Sequence, residues 1–121
     1  MKKTILLIED NRDILENTAE ILHLEGYEVL MASHGEEGFE MASSQLPDLI
    51  ISDIQMPGIN GYEVLSKIRT LPKTTHIPFI FLTASAQEED IEKGRTSGAH
   101  GYLTKPFTSE CLKSAILKVL S

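Results

Sequence analysis

The sequence predicts a doubly wound α/β sandwich built from five consecutive βα units, and three observations carry that expectation. Short continuous apolar runs alternate with segments of helical spacing along the whole chain. The apolar runs stop at residues able to bind a phosphate or a metal, namely Glu9 and Asp10, Asp53, Thr83, and Lys105. A length of 121 residues with 41% hydrophobic content suits one globular domain with a two-sided core, spanning residues 1–121. In an open parallel sheet every strand points the same way, so the carboxyl ends share one edge and ligands bind in the crevice there. Three carboxylates, a hydroxyl and an ammonium are therefore expected to converge.

Each element has its own signal. Ile5-Leu6-Leu7-Ile8 reads as the first strand, apolar throughout as befits burial on both faces of a parallel sheet. Ile14, Leu15, Thr18, Ile21 and Leu22 follow at helical spacing, with Gly26 placed as the glycine just past the helix end. Val29-Leu30-Met31-Ala32 is the second strand, and the helix after it is marked by Phe39 and Ala42 and weakened by Gly38. Leu49-Ile50-Ile51 is the third strand. Asn60 and Glu63, at the capping-box interval, open a third helix with Val64, Leu65 and Ile68 on its apolar face. Phe79-Ile80-Phe81-Leu82 is the fourth strand. The next helix, roughly 86–97, follows Ser85 and Glu88 at the same capping interval and stops at Gly98. It has only Ile91 as a large apolar residue and carries Gly94, a cost of about 1 kcal/mol against alanine, so it should be the most mobile helix. Gly101-Tyr102-Leu103-Thr104 is a weaker fifth strand, and Leu112, Ala115, Ile116 and Val119 give the last helix the clearest stripe.

Composition excludes several functions. With 11 basic and 18 acidic residues the net charge is -7, which opposes direct binding to nucleic acid or to an anionic membrane surface. A single cysteine, Cys111, permits no internal disulfide and fits a cytoplasmic home. Met1-Lys2-Lys3 precedes too short an apolar run for a signal peptide or a membrane span. His23, His34, His76 and His100 are scattered without ligand spacing and read as surface residues.

Four motifs remain: Glu9-Asp10 after the first strand, Asp53-Ile54-Gln55-Met56-Pro57-Gly58-Ile59-Asn60-Gly61 after the third, Thr83-Ala84 after the fourth, and Lys105-Pro106-Phe107 after the fifth. In this combination and order the whole chain resembles the receiver domain of bacterial two-component response regulators, of the chemotaxis-regulator type. The resemblance implies a flavodoxin-like, five-stranded parallel sheet of order 2-1-3-4-5. It also implies a phosphorylation-dependent switch that takes a phosphoryl group from a histidine kinase or a histidine phosphotransfer protein and loses it slowly, with no enzymatic activity beyond its own phosphorylation chemistry.

The residues can be read chemically beside that resemblance. Taken alone, Glu9 and Asp10 are equally well explained as a solvated turn with Asp10 or Asn11 capping the first helix. With Asp53 in the same crevice, three carboxylates repel one another unless protons or a cation neutralise them. Oxygen ligands without clustered Cys or His favour magnesium, or manganese, over zinc. By resemblance, Asp10 and Asp53 ligate the ion directly, Gln55 supplies its backbone carbonyl and Glu9 acts through water. Asp53 is the expected phosphoacceptor, since a carboxylate attacks phosphorus when the charge on the transferring oxygens is neutralised. Lys105, the Thr83 hydroxyl and the Ala84 backbone N–H are placed to supply that neutralisation. The resemblance further implies a cis peptide between Lys105 and Pro106 that aims the lysine into the site. It makes Thr83 and Tyr102 a switch pair in which the ring moves inward as the hydroxyl is drawn to the phosphoryl group. The face formed by the predicted fourth helix, the fifth strand and the last helix is then the surface for a downstream protein, and phosphorylation-dependent homodimerisation is left open.

Two other readings belong to different classes. A degenerate receiver acting as a phosphorylation-independent interaction module is opposed by the intact Asp53, Lys105 and acidic pair. A small aspartate-nucleophile phosphatase commonly has a second acid two residues after the nucleophile, where this chain has Gln55. The sequence leaves open the cognate kinase, the phosphoryl lifetime, and whether the chain stands alone or was cut from a longer regulator.

Overall fold

In the computed structural model, residues 2–84, 92–93 and 96–120 are described. Five parallel strands, β1 (Thr4–Ile8), β2 (Glu28–Ala32), β3 (Leu49–Asp53), β4 (Phe79–Thr83) and β5 (Gly101–Thr104), form one sheet of order β2-β1-β3-β4-β5. This is the order expected. Helices α1 (Arg12–Leu24), α2 (Gly35–Gln45), α3 (Gly61–Thr70) and α4 (Ser109–Leu120) cover its two faces. The helix expected over roughly 86–97 lies largely outside the described residues, as do its Ser85–Glu88 cap, Ile91 and Gly94.

Side-chain alternation splits the core in two. Leu6, Ile8, Ile50, Phe79 and Phe81 point to one face and pack with Ala42 of α2 and Val64, Leu65 and Ile68 of α3. Ile5, Leu7, Leu49, Ile51, Ile80 and Leu82 point to the other, against Leu15, Ala19 and Leu22 of α1 and Leu112 and Ile116 of α4. The central strands β3 and β4 are buried at every position, as their unbroken apolar runs require. β2 departs from that expectation. It lies at the sheet edge, so only Ala32 is buried and Met31 is 48% exposed. β5, the opposite edge, is half-buried throughout, which is why its sequence signal is weak.

The helix ends follow their capping chemistry. Asn11, not Asp10, caps α1, its side chain accepting from Ile14 N–H. Asn60 and Glu63 form the reciprocal capping box of α3 at 2.9 and 3.0 Å. His34 caps α2 through its ring nitrogen, a use of histidine that sequence reasoning missed. Gly38 is more than a weak point in α2: a Cβ there would meet Ile8 Cγ1 at 2.6 Å, so its absence lets the helix lie close on β1. Gly61 does the same at the start of α3, where a Cβ would meet the Ile54 Cα at 2.9 Å and the Asp53 carbonyl more closely still.

Candidate functional site

Parallel register brings the chemistry to one edge. Ile8 pairs with Ser52, Asp53 with Leu82 and Thr83 with Thr104, so residues 9, 53, 83 and 105 stand at adjacent strand ends. Backbone bonds tie these ends together: Ile54 N–H donates to Leu82 O at 3.1 Å and Lys105 N–H to Thr83 O at 2.7 Å.

Glu9, Asp10 and Asp53 converge, with one carboxylate oxygen from each lying within 4.8 Å of the others. Glu9 is fully buried and Asp53 is 7% exposed, whereas Asp10 is exposed to solvent. Lys105 Nζ bridges the two buried acids, 2.5 Å from Glu9 Oε1 and 3.2 Å from Asp53 Oδ2. The second Glu9 oxygen accepts the Asn11 N–H at 3.2 Å, and Asp53 Oδ1 accepts the Ile54 N–H at 2.8 Å. Asp53 thus presents Oδ2 on the lysine side while Oδ1 is held by its own backbone turn.

The electrostatics are those of a crowded acidic pocket. Burial pushes the Glu9 carboxyl up to about 7; Lys105 opposes that rise and the neighbouring Asp53 adds to it. Burial alone would lower Lys105, but its bonds to Glu9 and the charges of both acids outweigh it and hold the ammonium above its ordinary value. The direct Glu9–Lys105 pair has no signature in sequence, because its partners are 96 positions apart.

The remaining candidates sit around this centre. Thr83 closes β4 and is 4% exposed, and Ala84 follows it at the surface. Tyr102 is half-buried and packs on the α2/α3 core. It pairs in register with Phe81, and Phe81 shares a strand face with Thr83, so Thr83 and Tyr102 lie on the same side of the sheet. The Lys105–Pro106 bond is cis. Gln55, exposed, lines a groove with Met56, Gly58, Asn60, Tyr62 and Lys93. Pro106 and Phe107 line another, mostly apolar groove beside Ile14, Thr18 and Ile21 of α1. No helix among the described residues is long and apolar enough to cross a membrane.

Comparison with known proteins agrees with this geometry. The family model for the response regulator receiver domain matches residues 5–117. The probable transcriptional regulator ycf29 of Porphyra purpurea is 42% identical over 120 residues, covering 99% of this chain and 57% of that protein. The chain spans about half the length of several curated relatives it matches. Among solved structures, chemotaxis protein CheY4 of Vibrio cholerae superposes with a TM-score of 0.94 at 32% identity, covering 99% of this chain and 100% of that one. The receiver domain of sensor histidine kinase PA1611 from Pseudomonas aeruginosa, with magnesium coordinated in its active-site cleft, gives 0.91 at 30% identity and covers 99% and 98%. With the fold, the strand-end cluster and these matches in agreement, the chain belongs to the response regulator receiver domain family of two-component signalling.

Proposed function

We propose that this receiver domain is a phosphoacceptor switch in which Asp53 carries the phosphoryl group. The observation that supports this best is the buried Asp53 carboxylate held by Ile54 N–H on one oxygen and by Lys105 on the other, within a three-carboxylate cluster. The donor set suits a hard divalent cation: three converging carboxylates, oxygen only, one of them driven toward the protonated form by burial. Asp10 and Asp53 would hold magnesium or manganese directly, with the Gln55 carbonyl, and Glu9 would act through water. Bound there, the cation would neutralise charge on the carboxylates and on the transferring oxygens.

The residues divide the work. An Asp53 oxygen forms the new P–O bond as the P–N bond of a phosphohistidine donor breaks and the imidazole takes up a proton. Lys105 moves from carboxylate to phosphoryl oxygen, and the Thr83 hydroxyl and Ala84 N–H donate to the others. The added charge of about -1.5 to -2 draws Thr83, and Tyr102 on the same sheet face follows inward. Its output is the face of β5, α4 and the segment between β4 and β5, read by a downstream protein or by a second copy of the chain. The donor is a histidine kinase or phosphotransfer protein, and slow hydrolysis at Asp53 resets the switch in the cytoplasm.

Intact mass after incubation with a small acyl phosphate, with and without magnesium, tests the reading. Gain of one hydroxylamine-labile phosphoryl group only with magnesium is expected. No gain, where an established receiver domain labels, would leave a phosphorylation-independent interaction module as the better reading.

A further inference from the structure

The α3 residue Tyr62 holds its ring edge-on to Phe81, with centroids 5.0 Å apart, and Phe81 is edge-on to Phe79 at 5.1 Å. Phe81 pairs in register with Tyr102, and Tyr62 and Tyr102 pack against the same core cluster. The Tyr62 ring also carries a cation: Lys93 Nζ lies 4.6 Å from its centroid. Lys93 is exposed and belongs to the segment between β4 and β5, where its carbonyl accepts the Ser97 N–H at 3.0 Å. The Lys93 contact therefore joins that segment to an aromatic row in which Phe81 neighbours Tyr102.

We propose that Lys93 is a latch on Tyr62 that favours the packing seen here and opposes the phosphorylated one. The inference rests on the phosphoacceptor reading above. Tyr102 is half-buried at the margin of the core, so its inward movement must repack the surroundings of Phe81 and, through the edge contact, the Tyr62 ring. A ring displaced beneath Lys93 loses the cation. At an exposed site such a contact is worth roughly a two- to fivefold bias, and a ligand that selects the other packing binds weaker by the same factor.

The test is the affinity for beryllofluoride with magnesium, a phosphoryl mimic, measured by calorimetry on wild type, Lys93→Gln, Lys93→Arg, Tyr62→Leu and the Lys93→Gln/Tyr62→Leu double variant. Lys93→Gln keeps the aliphatic stem and removes the charge, so it should bind about two- to fivefold tighter. Lys93→Arg should match wild type, and the double variant should gain no more than Tyr62→Leu alone. In wild type the Lys93 side-chain proton resonances should be shifted upfield by the ring and should lose that shift when the mimic binds. Unchanged or weaker binding in Lys93→Gln, with wild type binding normally, overturns the latch and leaves the phosphoacceptor reading intact. Absence of mimic binding in every variant overturns that reading and the latch with it.

Discussion

The two edges of this sheet handle polar groups in opposite ways. At the amino-terminal edge polar side chains end on the backbone: Arg69 donates to Ile77 O at 2.8 Å and Gly98 O at 3.4 Å, and the Thr74 hydroxyl donates to Ile68 O at 2.7 Å. The His100 ring accepts the Phe79 N–H at 3.3 Å, and burial followed by the nearby Arg69 charge keeps its pKa below the usual value. At the carboxyl edge charged side chains face one another, three acids against one lysine. The first arrangement closes backbone hydrogen bonds and fixes loops. The second leaves like charges together, a cost a fold bears where a ligand is to relieve it. On the proposed reading the amino edge serves stability and the carboxyl edge exchange, and perturbing each should give different signatures.

The largest effect belongs to the carboxyl edge. Asp53→Asn should abolish phosphoryl incorporation while the circular dichroism spectrum stays native, because amide and carboxylate are isosteric and Ile54 N–H keeps its acceptor. Single-site labelling that survives in this variant would remove Asp53 as the acceptor. Lys105→Ala comes next. It should lower the rate of incorporation by about 100-fold or more, the usual cost of removing a preorganised donor to a transferring group, while magnesium still binds. An unchanged rate would make Lys105 only a partner of Glu9.

The pH dependence of stability should separate the edges as well. Glu9 sits at about 7 in the fold against 4.5 for an unperturbed group, so the folded state holds its proton more tightly than the unfolded state. That contribution is fully present below about 4.5 and is lost as pH rises through about 7, an upper bound of about 3 kcal/mol. Denaturant titrations without metal should therefore show stability falling over this window, and Glu9→Gln should flatten the fall. Added magnesium should release protons near pH 7. A wild-type profile as flat as that of the variant would show Glu9 already ionised in the fold.

How much of this was legible in the sequence depended on how local the signal was. The runs ending at Asp53 and Thr83 and the Asn60–Glu63 cap are local patterns, and they placed strands, helices and the site edge directly. Burial was less legible. Val29–Ala32 reads like a central strand, but edge position is a property of topology, and Met31 is left half-exposed. Gly38 reads as a helix defect because the Ile8 side chain it accommodates lies thirty positions away, from 38 back to 8. The strand ends foretold that Lys105 and Glu9 converge but not that they bond directly, and the Arg69 clamp and the Lys93–Tyr62 contact carry no local pattern that marks them.

Arg69 gives the smallest effect and the sharpest control. Its guanidinium serves carbonyls before β4 and before β5, and Arg69→Met would keep an unbranched apolar stem while removing the donor to both carbonyls. Hydrogen bonds from a charged donor are worth about 1.5–3 kcal/mol when well formed, and the 3.4 Å bond to Gly98 is weak, so a loss of about 2 kcal/mol is expected in chemical denaturation. The rate of phosphoryl incorporation per folded molecule should not change, since the strand ends at Asp53, Thr83 and Lys105 are tied by their own backbone bonds. If the rate fell along with stability, the Gly98 end of the segment between β4 and β5 would be transmitting strain to the carboxyl edge. The two edges would then form one mechanical unit.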